Sequence, residues 1–390
     1  MDSSVERMLK EVEEQADFLK EGYENLLKQT REIIKKYNPK ENFDKIYISG
    51  CGDSYYAGIA MRELIVKYTG IDTEVYQAIE FSRYAYKECT ENSLVIAISN
   101  SGEVARTIEC AVRGKEKGAL AIGITSDGES RLAKRANEII NIDIPPVVGL
   151  VPGTMSYTGS MLGLAALAFE LGYQIDYITK EKQQELLDYL VDVGKMMKNT
   201  VKENFELVGK YVDEYFDEEN SQVKIYHILG SGPNYATAQF GTMKLLEAAS
   251  FVSIPQGIEE WAHSQYFVTD KNTHVIFITP QGASHDRANE VMQAVSVVDG
   301  KVIAVAEEND EETRKYADFV WPVKVENDIK EEFSSFIYPI PLEILSVHLA
   351  DKLGQSAMDF DRKPWKKEEN FRQIFKSKIK SIPPKENKEG

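Results

Sequence analysis

The chain has 390 residues, 43% hydrophobic and 28% charged, with a formal net charge of −17; this is the composition of a globular protein with room for two or three domains. The charge argues against a nucleic-acid groove, which needs clustered Lys and Arg, but not against a small phosphorylated ligand in a local pocket. Cys51, Cys89 and Cys110 show neither metal-ligand spacing nor a disulfide framework, so no metal or cofactor is expected and a reducing, cytoplasmic setting is. No apolar run reads as a membrane span of roughly 18 residues, and the acidic opening MDSSVERMLKEVEEQ is unlike a secretion signal.

Taken in chain order, Val5, Met8, Val12, Ala16, Leu19, Tyr23, Leu26, Thr30, Ile33 and Tyr37 recur every three or four residues. This spacing predicts a long amphipathic helix or helix pair over 5–37, capped by Asp2 or Ser3 and stopped by Asn38-Pro39. The period then changes. KIYISG, SLVIAIS, ALAIGITS and EIINIDI are short runs rich in Ile and Val, the pattern of buried parallel strands. Helix-length segments at 54–68, 103–118 and 129–137 lie between them, which predicts a doubly wound α/β layer.

Residues 157–222 read as helical, and strands return at VKIYHILGSG, THVIFITPQG, KVIAVAEE and DFVWPV. IYISGCGDSYYAG in the first half answers YHILGSGPNYATA in the second, and LVIAISNSGEVART answers VIFITPQGASHDRA. Two copies of one α/β domain follow: a helical segment 1–40, a first copy 41–175, a helical connector 176–222, a second copy 223–352 and a tail 353–390. The tail, rich in Lys and Glu with Pro383-Pro384, reads as mobile at its end.

The copies differ where chemistry is expected. In the first, Gly50 and Gly52 permit a tight strand-to-helix turn, and Ser54 falls at a helix N-terminus, where an anion is favoured. Ser99, Asn100 and Ser101 end the next strand. Such serines also cap helices with no ligand, but two such turns in one copy favour a phosphate cradle of neutral donors. In the second copy Pro233 removes a donor and Thr279-Pro280-Gln281 replaces the serine pair. Lys244 and Glu247, three apart on one helix face, read either as a surface ion pair or as part of a site. His263, one of five histidines, is a structural or a catalytic candidate.

These residues resemble the tandem sugar-isomerase (SIS) domains of the isomerase half of glucosamine-6-phosphate synthase and of related deglycases and deaminases. MLKEVEEQ, GCGDSYYAG, ISNSGEVART, LVPGTMSYT and GSGPNYATAQFGTMKLLE carry the likeness, over roughly residues 8–365. It implies two flavodoxin-like SIS domains, each a parallel sheet flanked by helices, with an N-terminal helix and a C-terminal tail. It implies phosphate binding by Ser54, Ser99, Asn100 and Ser101, and a substrate loop including Gly52, Asp53, Val151 and Thr154. It makes Glu247 the base that moves a proton between C1 and C2 of the sugar, supported by Lys244, and His263 a ring-opening residue serving a neighbouring subunit of a homodimer.

The implied ligand is a phosphorylated sugar or sugar-amine, and the implied activity is that of a deglycase or deaminase, with a plain aldose–ketose isomerase or a non-catalytic sugar-phosphate sensor as alternatives. The sequence departs from the family at Asp53 and Val104, where threonines are usual, at Met155, where lysine is common, and at Ser264-Gln265, where Gly-Pro is usual. The family's tail lysine has three counterparts, Lys363, Lys366 and Lys367. Because the chain opens Met1-Asp2-Ser3, without the nucleophilic cysteine of a glutaminase half, glutamine-dependent synthesis is not expected.

Overall fold

Two five-stranded parallel sheets form the frame of the computed structural model, which describes residues 1–39, 43–144, 151–216, 222–325, 329–358 and 377–379. The first contains β1 (Lys45–Gly50), β2 (Asp72–Gln77), β3 (Ser93–Ile98), β4 (Leu120–Thr125) and β5 (Glu138–Asn141), in the order β2-β1-β3-β4-β5. The second contains β6 (Ile225–Gly230), β7 (Ser253–Gly257), β8 (Thr273–Ile278), β9 (Lys301–Glu307) and β10 (Phe319–Val323), in the order β10-β9-β8-β6-β7. Read from the β7 edge, the second order repeats the first, and both are the flavodoxin-like arrangement.

The central strands β3, β4 and β8 are buried at every residue, because helices cover both faces, and this is why they read as unbroken apolar runs. The sequence reading passes over β2 and β7. Both are edge strands, only partly buried, and their sequences DTEVYQ and SIPQG carry no apolar run; Pro255 is tolerated in β7 because an edge strand can spare an N–H.

The N-terminal stripe forms one helix, Ser3–Ile34, with the Asp2 carboxylate accepting the Ser4 N–H at 2.8 Å. Its predicted inward residues from Val5 through Ile33 are buried. The helix stops before the Asn38-Pro39 signal, because Lys36 and Tyr37 donate to Ile33 and Ile34 and tighten the chain into turns. The helical region after residue 157 is two helices, Met155–Gln174 and Lys180–Tyr215.

One expectation is corrected. Residues 129–137 form turns rather than a helix. Two of their backbone donors are taken by the loop after β3: Leu132 N–H bonds the Gly102 carbonyl at 2.9 Å, and Arg131 bonds Glu103 through its backbone N–H at 3.0 Å and its Nε at 2.7 Å. The helical stretch Glu331–Lys352 is long and apolar enough to cross a membrane by length and composition alone. Its most apolar window is 94% buried within the protein. There it packs on the Lys180–Tyr215 and Pro233–Ala249 helices, as a core helix does. The helices Asp53–Thr69 and Pro233–Ala249, one from each half, also pack against each other. That contact builds the site.

Candidate functional site

The sheet order reverses between β1 and β3, which are paired in parallel with Ser49 opposite Ala97. In a doubly wound sheet this switch point opens a ligand crevice at the carboxyl ends of the strands. The turn after β1 depends on two glycines. Gly52 has φ +55°, and a Cβ on Gly50 would lie 2.8 Å from Ser54. The helix Asp53–Thr69 then starts with Ser54 in its first turn. The turn after β3 is held from below, as the Asn100 carbonyl accepts the Ser126 N–H at 2.9 Å and the Thr125 and Ser126 hydroxyls at 3.0 and 2.8 Å. Ser99 is 3% exposed and its hydroxyl has no partner among the described residues. Asn100 and Ser101 are exposed, with Ser101 Oγ accepting the Glu103 N–H at 3.3 Å. Val104 caps the next helix without a side-chain bond.

The second half keeps the turn and loses the cradle. Gly232 has φ +55° as Gly52 does, but the crevice already holds a carboxylate of the chain itself. Glu331 Oε2 accepts the Ala283 N–H at 3.0 Å, and its carboxyl lies 2.4 Å from where a Cβ on Gly282 would be. An incoming anion would meet that charge.

Lys244 and Glu247 are not a surface pair. Lys244 is fully buried, and its Nζ lies 2.6 Å from Glu247 Oε2 and 2.8 Å from Asp53 Oδ2, so one ammonium joins the two halves of the molecule. Asp53 opens its helix, where a negative charge complements the local helix dipole, and the Lys244 ammonium lies against it. The negative charge that Asp53 brings next to the serine turn is thereby matched. Burial pushes the Asp53 carboxyl up, with Lys244 opposing and Glu247 adding, to about 6. Burial pulls the Lys244 ammonium down, but Asp53 and Glu247 outweigh it and the net shift is upward. Beneath the ammonium lies Phe240, its ring centroid 4.9 Å away, stacked at 4.0 Å on Tyr157.

Behind this group lie two further carboxyls that the sequence reading misses. Glu11 Oε2 accepts from the Thr154 backbone and hydroxyl at 3.3 and 3.2 Å. Glu343 Oε2 accepts from Gln15 Nε2 at 2.6 Å, and Gln15 in turn accepts from Thr158 at 2.8 Å. The available signal is a charged residue inside the apolar helical run IPLEILSV, all of which is buried. Burial pushes the Glu343 carboxyl up to about 8, with Gln15 and Lys244 opposing and Glu11 and Asp53 adding. The usual value is 4.5, so the native state holds a proton that the unfolded chain releases. The stability this confers is fully present below pH 4.5 and is lost as pH rises through 8, at up to about 1.4 kcal/mol per pH unit. Glu343→Gln, which mimics the protonated form, is therefore expected to raise the unfolding temperature at pH 8 and change it little at pH 4. Thermal melts at both values check this; an equal effect at both would show a carboxyl that is ionised throughout.

Of the other candidates, Val151 is half-buried and Thr154 is buried against Glu11. His263 follows the short helix Ile258–Trp261 and is 67% exposed, its Nε2 3.4 Å from Glu259 Oε1. It stands apart from Lys244 and Glu247 rather than joining them. Lys363, Lys366 and Lys367 lie outside the described residues. The stretch leading to them is tied to the site, as Met358 N–H bonds the Glu247 carbonyl at 2.8 Å. Among the described residues no group of three or more His, Cys, Asp or Glu is arranged to hold a metal.

Comparison with known proteins agrees with this architecture. The SIS domain model matches residues 41–169 and 221–350, more than half of the chain. The glutamine–fructose-6-phosphate aminotransferase (isomerizing) of Aquifex aeolicus is 28% identical over 347 residues, 89% of this chain and 55% of that protein. That of Thermus thermophilus is 27% identical over 351 residues, 89% of this chain and 56% of that protein. The chain thus spans little more than half the length of these curated relatives.

Among solved structures, the C-terminal domain of glucosamine-fructose-6-phosphate aminotransferase from Francisella tularensis matches with a TM-score of 0.76 at 22% identity, covering 90% of this chain and 97% of that one. Glucosamine-6-phosphate deaminase from Thermotoga maritima matches with a TM-score of 0.68 at 20% identity, covering 90% and 96%. At these identities the structures speak for the fold alone. With one matched SIS domain on each five-stranded sheet, the chain belongs to the SIS domain family as a tandem member.

Proposed function

We propose that this chain is a phosphosugar-amine enzyme, a deglycase or deaminase that moves a proton between C1 and C2 of an amino-hexose 6-phosphate and releases an amine or ammonia. The supporting observation is the placement of Glu247, held at 2.6 Å by a buried Lys244 that also reaches Asp53 beside the Gly50–Ser54 turn. The names of the similar proteins, an isomerizing fructose-6-phosphate aminotransferase and a glucosamine-6-phosphate deaminase, point to the same ligand class.

In this reading Ser54, Ser99, Asn100 and Ser101 hold the phosphate with neutral donors at a helix start. Glu247 takes the proton from one carbon and returns it to its neighbour, while Lys244 fixes its orientation. From a 2-amino-aldose phosphate the proton passes from C2 to C1, leaving a C2 imine that water splits into ammonia and fructose 6-phosphate. From a 1-amino-ketose phosphate it passes from C1 to C2, leaving a C1 imine that water splits into an amine and glucose 6-phosphate. His263, facing solvent, opens the sugar ring in a neighbouring subunit's site, which requires a homodimer. Three unpaired cysteines suit a reducing, cytoplasmic setting.

The test incubates the protein with glucosamine 6-phosphate or a fructosyl-amino-acid 6-phosphate and resolves products by NMR. Fructose 6-phosphate with ammonia identifies a deaminase, and glucose 6-phosphate with free amine a deglycase. Binding without turnover across both would replace the enzyme with a sensor. Interconversion of glucose and fructose 6-phosphates, with both amino sugars untouched, would make it a plain isomerase.

A further inference from the structure

Resting on the phosphosugar-amine reading, we propose that Asp53 recognises the substrate's nitrogen: its carboxylate binds the protonated amine, and the site thereby selects an amino sugar over the nitrogen-free sugar phosphate. Asp53 uses only half of its carboxylate within the protein. Oδ2 accepts from Lys244 at 2.8 Å, while Oδ1 is buried and has no partner among the described residues. A buried acceptor left unbonded is costly, and a ligand donor would relieve it.

The charges around it call for a cation in particular. One ammonium, Lys244, serves two carboxylates, Asp53 and Glu247. A sugar hydroxyl would give Oδ1 a hydrogen bond and leave the charge uncompensated, whereas an ammonium gives both.

Position agrees with charge. The nitrogen of either substrate class is bonded to C1 or C2, the carbons that Glu247 must reach, and Asp53 is separated from Glu247 by a single shared ammonium. Just past the end of β3 the Ser99 hydroxyl, also buried, lacks a partner among the described residues. The two unbonded groups differ in kind: a neutral hydroxyl suited to phosphate and an anionic oxygen suited to an amine.

Isothermal titration of the full chain with two unreactive open-chain ligands tests this. One is 2-amino-2-deoxyglucitol 6-phosphate, which carries the ammonium; the other is glucitol 6-phosphate, with a hydroxyl in its place. The wild type is expected to bind the amine about tenfold or more tightly. Asp53→Asn and Asp53→Thr are expected to remove that preference by weakening the amine alone, leaving glucitol 6-phosphate within about threefold. A wild type without preference overturns the assignment, and this arm needs no variant to fold. Equal weakening of both ligands in well-folded variants also overturns it, since Asp53 would then serve only to hold Lys244. Wild-type protein that binds neither ligand removes the phosphosugar-amine reading itself; binding both equally removes only the role of Asp53.

Discussion

Glu247→Gln is expected to lower turnover of the amino-hexose 6-phosphate by about 10²–10⁴-fold, the range that a positioned general base contributes. Substrate affinity should stay within about fivefold, because the proposed phosphate site is the serine turns and the amide oxygen can still accept from Lys244. The amide keeps the shape of the carboxylate and loses its capacity to take a proton. Steady-state kinetics on the substrate identified by NMR, with the Kd from titration, separate the two effects. Unchanged turnover would sink the assignment and shift attention to Asp53, the other carboxylate on the Lys244 ammonium.

Lys244→Met is expected to produce the largest loss of stability, about 3–5 kcal/mol, because removing one member of a buried charge group leaves the others uncompensated. The stranded charges are Asp53 and Glu247, both anchored on helices that pack across the two sheets. The deficit should depend on pH. Asp53 already stands at about 6 against the usual 3.8, and without the ammonium it rises further. A carboxyl raised in the native state contributes stability that is present below its unfolded pKa and lost as pH rises through its folded pKa. The variant should therefore be weakest near pH 8 and recover toward pH 5. Lys244→Met with Asp53→Asn should recover a substantial part of the loss at pH 8, since the two sites are in direct contact. Urea denaturation of wild type, both single variants and the double variant measures the coupling. A Lys244→Met protein within about 1 kcal/mol of wild type at pH 8 would show that the ammonium does not hold the two halves together.

How much of this was readable beforehand varies from place to place. The stripe from Val5 to Ile33 became one buried helix face because a 3.6-residue period allows nothing else. Runs such as SLVIAI and THVIFI became central strands because parallel strands covered on both faces are apolar throughout. The likeness of GCGDS to GSGPN became the same turn twice, with Gly52 and Gly232 both at φ +55°. The edge strands β2 and β7 carry no such run, because only one residue of each is buried. Residues 129–137 have the length of a helix, yet the Arg131 and Leu132 donors are spent on the loop after β3.

The candidate site divides along the same line. Its serine turns announce themselves locally, since a strand followed by small, hydroxyl-bearing residues and a helix start is a pattern of adjacent positions. The pairing of Lys244 with Glu247 is visible as helical spacing, but its burial is not, since the same spacing is commonest in exposed ion pairs. Asp53 and Lys244 lie 191 positions apart in the chain, and no period links them. Glu11 and Glu343 reach the same group from opposite ends of the chain. Patterns of neighbouring residues are set by backbone geometry, which the chain carries with it. Which buried charge meets which is set by how helices from the two repeated halves pack, and that exists only once both halves have folded.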